Sequence, residues 1–125
     1  MPDKQILAFG GGQLFYEPER PVLIEYMLGL SNSAKPSIGM VGTAKGDSAA
    51  NSENFFNTFE PFNCIPSELK LFAGTPDLHE YVFAQDIIFV GGGNAKSMLA
   101  VWKEWGLDEI LREAWEAGIV LSGLS

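Results

Sequence analysis

The most restrictive feature of this chain is a series of short apolar runs that alternate with stretches of helical periodicity, each run ending near glycine or another turn former. Strands that alternate with helices in this way form a parallel sheet covered on both faces. The sequence therefore predicts a three-layer α/β/α domain with a mostly parallel sheet. The predicted strands are residues 5–9, 37–41, 68–72, 86–90 and 119–122.

Helical patterns fill the intervals between these strands, and several of them have recognisable ends. Pro21 suits the first turn of one helix, and the acidic Asp108 and Glu109 suit the positive end of another. Two prolines, Pro61 and Pro66, are interpreted as breakers that precede the third strand. No repeat or linker divides the chain, so residues 1–125 are predicted to form a single domain. The predicted helices are residues 21–30, 48–59, 76–83, 95–105 and 108–117.

Charge and composition exclude several classes of function. Eight basic and sixteen acidic residues give a net charge of −8, which disfavours binding to nucleic acid or to anionic membrane surfaces. No apolar run approaches the ~20 residues needed to cross a bilayer. The single cysteine, Cys64, cannot form an internal disulfide and is predicted to be a buried structural thiol. Residues 1–5 lack the apolar core of a secretory signal, so we expect a cytoplasmic protein.

Glycine-rich turns follow several strands, at the sheet edge where open α/β folds place their ligands. Gly91-Gly92-Gly93-Asn94 can aim backbone N–H groups at an anion or an oxyanion, and it is equally compatible with a tight turn that binds nothing. The triplet at 10–12 lacks the spacing of a dinucleotide fingerprint or a phosphate loop, which favours a structural turn. No His/Cys cluster has metal-ligand spacing, and we expect neither a metal nor an organic cofactor.

The last predicted strand runs into Ser122-Gly123-Leu124-Ser125. An apolar strand followed by Gly-x-Ser is how the sharp turn that presents a nucleophilic serine begins, with its oxygen exposed above the sheet. The alternative is that Ser125 simply follows a strand.

Taken together, these segments resemble peptidase family S51, which contains the aspartyl dipeptidases (peptidase E) and the cyanophycinases. Residues 86–94, Asp-Ile-Ile-Phe-Val-Gly-Gly-Gly-Asn, are similar to the family's strand and GGGN turn. Residues 118–125 are similar to its approach to a Gly-x-Ser-Ala-Gly nucleophile turn. The resemblance covers nearly the whole chain. It implies a fold like that of the class I glutamine amidotransferases, flavodoxin-like, of which this chain would hold the amino-terminal portion, truncated after the fifth strand.

The resemblance also implies roles for individual residues. Ser125 would be the nucleophile, Gly92 and Gly93 would contact the oxyanion, and Asn94 would help to hold the substrate. The family's histidine and its acidic partner lie after the nucleophile and have no counterpart here. The single histidine, His79, belongs to a short polar helix and is expected to be a surface residue. We therefore expect the 125-residue chain by itself to be inactive.

Three hypotheses about function remain open. The first is the amino-terminal part of a serine peptidase that cleaves small peptides at aspartyl residues. A carboxyl-terminal half or a further copy of the chain would then cover the exposed edge and face of its sheet. The second is a noncatalytic α/β binding or interaction module. The third, a glutamine-amidotransferase-like hydrolase, is disfavoured because its nucleophile would be a cysteine at position 125.

Two further expectations concern side chains outside the glycine turns. Trp102, Trp105 and Trp115 have the spacing of helix faces that pack on a sheet. An arginine would be well suited to bind a substrate carboxylate, but neither Arg20 nor Arg112 lies at a predicted strand end.

Overall fold

The computed structural model of the protein describes residues 3–10 and 21–124. Short strands and helices alternate along this part of the chain, as the sequence pattern predicts. In chain order they are β1 (Ile6–Phe9), α1 (Pro21–Gly29), β2 (Ser37–Val41), a 3-10 turn (Thr43–Lys45), α2 (Ala49–Phe59), β3 (Ile65–Leu69), α3 (Leu78–Phe83), β4 (Ile87–Val90), α4 (Ala95–Trp105), α5 (Leu107–Glu116) and β5 (Val120–Leu124).

The five strands form one sheet in the order β1-β5-β4-β2-β3, and every neighbouring pair is parallel. In the register of the central strand, Ile87 lies between Ile38 of β2 and Val120 of β5. Ile87, Ile88 and Phe89 are buried, which explains why β4 is continuously apolar rather than alternating. The prediction of a largely parallel sheet is confirmed, and the sheet of the described residues is parallel throughout.

Two hydrophobic clusters cover the two faces of the sheet and confirm the three-layer architecture. On one face, Phe55 and Phe59 of α2 pack against Phe89 of β4, with ring centroids 6.2 Å apart in each pair. On the other face, α3, α4 and α5 contribute Val82, Trp102 and several aliphatic side chains to a second cluster. The helices in the described residues are too short or too polar to cross a bilayer.

Side-chain caps decide where several helices begin. Ser48 Oγ accepts a hydrogen bond from Asn51 N at 3.1 Å, and Asp77 Oδ1 accepts one from Glu80 N at 2.8 Å. Each cap supplies an acceptor for a backbone N–H group that has no partner within its own helix. Since Asp77 is the cap, α3 begins at Leu78, two residues after the predicted start.

The predicted position of the third strand is wrong. The predicted strand is 68–72, after Pro66, whereas β3 is Ile65–Leu69 and contains that proline. Proline is tolerated here because β3 is an edge strand, where one side of the backbone makes no ladder hydrogen bonds. Leu71 and Phe72 instead donate their backbone N–H groups to Asp47 Oδ2, at 2.7 and 3.2 Å. They therefore belong to a loop that Asp47 holds.

The expectations for tryptophan and cysteine are partly confirmed. Trp102 is buried and Trp115 half-buried, but Trp105 is 46% exposed, so its prediction as a core residue is wrong. Trp105 is the last residue of α4. Cys64 is buried, and its Sγ lies 3.6 Å from Phe59 O. Burial raises the pKa of the Cys64 thiol, and the nearby positive charge of Lys35 partly opposes this effect.

Candidate active site

The order of the strands creates a crevice at the carboxyl ends of β2 and β4. The chain leaves β2 toward β3 on one side and leaves β4 toward β5 on the other, although β2 and β4 are neighbours. Such a reversal of direction is where open α/β sheets bind their ligands. The crevice is bordered by the 3-10 turn after β2 and by the GGGN turn, residues 91–94, after β4.

Hydrogen bonds tie the GGGN turn to the segment that follows β2. Gly91 N donates to Val41 O at 3.1 Å, and Asn94 N donates to Ala44 O at 2.8 Å. Deeper in the fold, Trp102 Nε1 of α4 donates to Thr43 Oγ1 at 3.1 Å in a buried contact. Both ends of the turn are therefore held, together with the helix that follows it.

Gly93 is the position in this turn at which a side chain is excluded. Its φ of 146° is a backbone conformation that is essentially restricted to glycine. A Cβ on this residue would overlap the Ala44 carbonyl group, whose carbon would lie 2.7 Å away, and would stand 2.9 Å from Lys45 Cγ. Glycine is required here both by the backbone angle and by the close approach of the two turns.

The backbone N–H groups of the turn fall into two pairs. Those of Gly91 and Asn94 are used in the hydrogen bonds to Val41 and Ala44. Those of Gly92 and Gly93 donate to no backbone acceptor within the described ranges 3–10 and 21–124, and both residues have solvent-accessible surface. The turn also leads directly into α4, whose amino terminus carries a partial positive charge. The arrangement can stabilise an anion at Gly92 and Gly93.

The side chain of Asn94 has a structural role. Its Oδ1 accepts a hydrogen bond from Ser97 N at 3.0 Å and thereby caps α4. This contact occupies the carbonyl end of the amide and leaves the Nδ2 group for another acceptor. The predicted contact between Asn94 and a substrate stays a prediction.

A cavity of about 320 Å³ lies beside the GGGN turn. Its walls are β1, the turn itself and the carboxyl end of β5 through Leu124. Ser122, which also lines it, is buried and donates its hydroxyl to Ile88 O at 3.1 Å, so this serine is committed to the core. Ser125, the predicted nucleophile, lies outside the described residues, as do Gly11 and Gly12 of the first glycine turn.

A larger cavity of about 630 Å³ lies at the opposite end of the strands, where β4 and β5 begin. It is formed by the loop after α1 together with Gln85, Asp86 and Gly118, which precede β4 and β5. The described site residues Gly92, Gly93 and Asn94 do not line this cavity. Because ligands of open α/β sheets bind at the carboxyl ends of the strands, the smaller cavity is the candidate active site.

His79 and Arg112 are exposed residues of α3 and α5, and each forms an ion-pair contact with a glutamate of α5. His79 Nε2 lies 3.5 Å from Glu113 Oε2, and its ring stacks on Phe83 with centroids 4.3 Å apart. Arg112 Nε lies 3.3 Å from Glu116 Oε1 on the same helix. The expectation that His79 is a surface residue is confirmed. Arg20 lies outside the described residues.

Sequence reasoning missed Lys45. This residue ends the 3-10 turn after β2, and its exposed side chain passes close to Gly93. No carboxylate in the described part of the chain forms an ion pair with it, whereas Lys70 pairs with Glu68 at 3.4 Å. Its position three residues after Gly42, at a strand end, was the available signal, but only the fold shows that it lies beside the GGGN turn.

Comparison with known proteins gives the same fold and a family. The sequence model of Peptidase family S51 matches residues 6–125. An uncharacterized peptidase of Bacillus subtilis (strain 168), YgaJ, is 46% identical over 123 residues, which cover 98% of this chain and 54% of YgaJ. This chain thus spans about half the length of the curated relative that it matches.

Two solved structures share the fold. One is from Listeria monocytogenes EGD-e and is named as a candidate peptidase E, with a TM-score of 0.72 and 20% identity over 98% of this chain and 58% of that one. The other is a peptidase from an acI-B1 actinobacterium, with a TM-score of 0.63 and 21% identity over 96% of this chain and 53% of that one. At these identities the likeness concerns the fold alone. The family match covers residues 6–125, and the strand order places the GGGN turn at the crevice between β2 and β4. The match establishes that this chain belongs to peptidase family S51.

Proposed function

We propose that this chain forms the part of a serine peptidase that carries the nucleophile and the oxyanion site. Ser125 Oγ attacks the carbonyl carbon of a scissile peptide bond, and a histidine takes the hydroxyl proton. The carbonyl oxygen becomes an oxyanion in the tetrahedral intermediate, which collapses as the protonated amine leaves. Water then hydrolyses the resulting acyl-serine and regenerates the hydroxyl.

The observation that carries this proposal is the pair of N–H groups at Gly92 and Gly93, beside a cavity that β5 also lines through Leu124. Oxyanion stabilisation requires backbone donors that are already aligned and that no protein acceptor occupies. The hydrogen bonds from Gly91 and Asn94 hold the turn in place while Gly92 and Gly93 stay available. Removal of one such donor costs about 10²–10³ in rate in other hydrolases.

The histidine of this mechanism comes from outside the 125 residues. The sequence contains one histidine, His79, and its contacts are with Glu113 and Phe83 rather than with the GGGN turn. The chain by itself is therefore inactive in this proposal, and the complete site needs a region equivalent to the part of YgaJ that the alignment leaves uncovered. With a single cysteine, and hence no internal disulfide, the proposed setting is the cytoplasm.

The proposed substrates are small peptides with an aspartyl residue beside the scissile bond. Lys45 supports this choice, because its exposed side chain passes close to Gly93 and forms no ion pair with a carboxylate of the described residues. In a chain of net charge −8, a positive group at that position favours an acidic side chain over a neutral one. Lys45 therefore discriminates aspartyl from asparaginyl substrates.

The nucleophile is tested with a fluorophosphonate probe and intact-mass spectrometry. Two proteins are compared, the 125-residue chain and the same chain fused after residue 125 to the uncovered part of YgaJ. We expect no adduct on the short chain, and one adduct on the fused chain that Ser125→Ala abolishes. Ser97→Ala, at an exposed serine near the GGGN turn, is the control and keeps the adduct. An adduct that survives Ser125→Ala would refute the proposed nucleophile.

The substrate preference is tested on the fused chain with Asp-Leu and Asn-Leu dipeptides. Lys45→Met is expected to lower kcat/KM for Asp-Leu by about tenfold, equivalent to ~1.4 kcal/mol, and to leave Asn-Leu within twofold. Lys96→Met, at an exposed lysine in the first turn of α4, is the matched control. Equal losses of kcat/KM for both dipeptides would show that Lys45 does not bind the acidic side chain of the substrate.

A further inference from the structure

The turn between β2 and α2 contains an unusual backbone conformation. Asp47 has a φ of 55°, and within the ranges 3–10 and 21–124 it is the only residue other than glycine with a positive φ. An aspartate can adopt this left-handed conformation, but it is disfavoured and persists where neighbouring contacts hold it. Here the N–H groups of Lys45 and Asp47 both donate to Gly42 O, each at 3.1 Å. Residues 42–47, the β2–α2 turn, therefore form a compact unit.

The carboxylate of Asp47 ties the β2–α2 turn to the loop after β3. Its Oδ2 accepts hydrogen bonds from Leu71 N at 2.7 Å and from Phe72 N at 3.2 Å. Hydrogen bonds to a carboxylate are among the stronger ones in proteins. The loop is itself anchored, because the Leu71 side chain is buried in the same cluster as Trp102. The carboxylate is not needed as a helix cap, since Ser48 Oγ already supplies that acceptor at the start of α2.

The opposite side of the β2–α2 turn contacts the GGGN turn. Ala44 O accepts the hydrogen bond from Asn94 N at 2.8 Å. The Ala44 carbonyl group and Lys45 Cγ are also the nearest atoms of other segments to the position that a Cβ on Gly93 would take. The β2–α2 turn therefore lies between the anchored loop after β3 and the GGGN turn. Any displacement of it would change the contacts that hold the GGGN turn in place.

We propose that Asp47 is a positioning residue of the candidate active site. Its carboxylate holds the β2–α2 turn against the loop after β3, and the turn thereby fixes the N–H groups of Gly92 and Gly93. Asp47 contacts neither substrate nor oxyanion in this arrangement and acts only through the placement of Ala44 and Lys45. Small displacements of oxyanion donors reduce the rate of a hydrolase. The effect of Asp47 on hydrolysis rests on the proposed function, whereas the coupling between the two turns does not.

Native-state hydrogen exchange of the 125-residue chain, followed by NMR at low concentrations of urea, tests the coupling without any substitution. Amides that open in one cooperative unit exchange with the same free energy of opening and the same dependence on urea. We expect the amides of Leu71, Phe72 and Asn94 to share both quantities. An opening of Asn94 that is separate from that of the other two amides would overturn the proposal.

Matched variants assign the coupling to the carboxylate of Asp47. Asp47→Gly removes the carboxylate and relieves the positive φ, and it should speed the exchange of the Asn94 amide about tenfold. Asp47→Asn tolerates the same backbone conformation, retains a side-chain acceptor and should stay within about threefold of the wild type. Asp77→Gly removes the cap at Glu80 N, far from the crevice, and as the control should leave Asn94 within about twofold. An unchanged Asn94 amide in Asp47→Gly would refute the role of this carboxylate.

The catalytic consequence is measured on the chain fused after residue 125 to the uncovered part of YgaJ. Asp47→Gly should lower the rate constant of fluorophosphonate labelling about tenfold, and Asp47→Asn should recover most of this loss. The same variant should lower kcat/KM for Asp-Leu and Asn-Leu equally, because the oxyanion site serves both substrates. A loss confined to Asp-Leu would show that Asp47 acts on Lys45 alone and would overturn the positioning of the oxyanion donors.

The outcomes separate this inference from the proposed function. A wild-type fused chain that takes no fluorophosphonate would contradict the proposed function, while a shared opening of Leu71, Phe72 and Asn94 would still support the coupling. If Ser125 is labelled at the wild-type rate in Asp47→Gly, the nucleophile stands and the positioning role fails. Far-UV circular dichroism verifies that each variant folds. Should Asp47→Gly not fold, the wild-type openings decide, together with equal changes at Phe72 and Asn94 in Asp47→Asn.

Discussion

The replacement Gly93→Ala is the sharpest test of the geometry at the candidate active site. The added methyl group meets two separate obstacles, the φ of 146° and the Ala44 carbonyl group, whose carbon would lie 2.7 Å from the new Cβ. A residue other than glycine in such a backbone conformation is disfavoured by about 1–3 kcal/mol. Overpacking against atoms that cannot move freely adds about 1–3 kcal/mol. Central values of both give a loss of about 4 kcal/mol in the free energy of unfolding.

The loss is large because the obstacle is backbone rather than the end of a flexible side chain. The Ala44 carbonyl oxygen accepts the hydrogen bond from Asn94 N, so any shift that makes room for the methyl group also weakens this contact. Equilibrium urea denaturation, followed by tryptophan fluorescence, measures the change. The slope of the transition should stay constant if the variant unfolds in the same cooperative manner.

Gly74→Ala is the matched control. Gly74 also has a positive φ, 65°, but a Cβ there would meet nothing within 4 Å. It isolates the backbone contribution, for which we expect a loss of about 1 kcal/mol. If Gly93→Ala is destabilised no more than Gly74→Ala, then the GGGN turn does not lie against Ala44 and the description of the site is wrong.

Two further predictions concern Trp102 and Cys64. Trp102→Phe removes the buried hydrogen bond to Thr43 Oγ1 and should lower the free energy of unfolding by about 1–2 kcal/mol in the same urea assay. Trp105→Phe replaces a residue that is 46% exposed and should change this free energy by less than about 0.5 kcal/mol. Equal effects of the two replacements would exclude a role for the Thr43 contact. Burial raises the pKa of the Cys64 thiol, so the folded chain keeps a proton that the unfolded chain loses above about pH 8.5. The contribution of this thiol to the free energy of unfolding is therefore complete below that pH and is lost as the pH rises through the pKa of the folded state. Stability should therefore fall more steeply above about pH 8.5 in the wild type than in Cys64→Ala. Tyr81, whose pKa is also raised by burial, is present in both proteins and cancels in this comparison, so parallel pH profiles would contradict the assignment for Cys64.

Local pattern was sufficient to predict the elements and the fold class. The apolar runs at β2 and β4 and the helical periodicities depend on neighbours within a few positions, and their predicted positions agree with the structure to within about two residues. The GGGN turn was identified from its sequence alone because glycine after a buried strand has a direct conformational meaning. The net charge can also be calculated from the sequence without the fold, and its negative value disfavours nucleic acid as a partner.

The third strand was misplaced because its position depends on an edge that the sequence does not reveal. A proline such as Pro66 would interrupt a strand that is hydrogen-bonded on both sides. Only the strand order shows that β3 is an edge strand, which has a neighbour on one side only. The exposure of Trp105 has a similar origin, since helical spacing alone cannot tell which apolar residues of α4 the tertiary packing buries.

Except for β3, the sequence by itself determined which residues form strands, helices and glycine turns, because those preferences arise from local sterics and from the period of apolar side chains. The tertiary structure alone decided that β2 and β4 are neighbours, and therefore that Ala44 and Lys45 lie against Gly93. It also decided that the N–H groups of Gly91 and Asn94 donate to backbone acceptors, whereas those of Gly92 and Gly93, which line the cavity, donate to no backbone acceptor of the described residues. These are pairings between segments about fifty residues apart, and their energies depend on the packing of the whole sheet rather than on any local stretch of sequence.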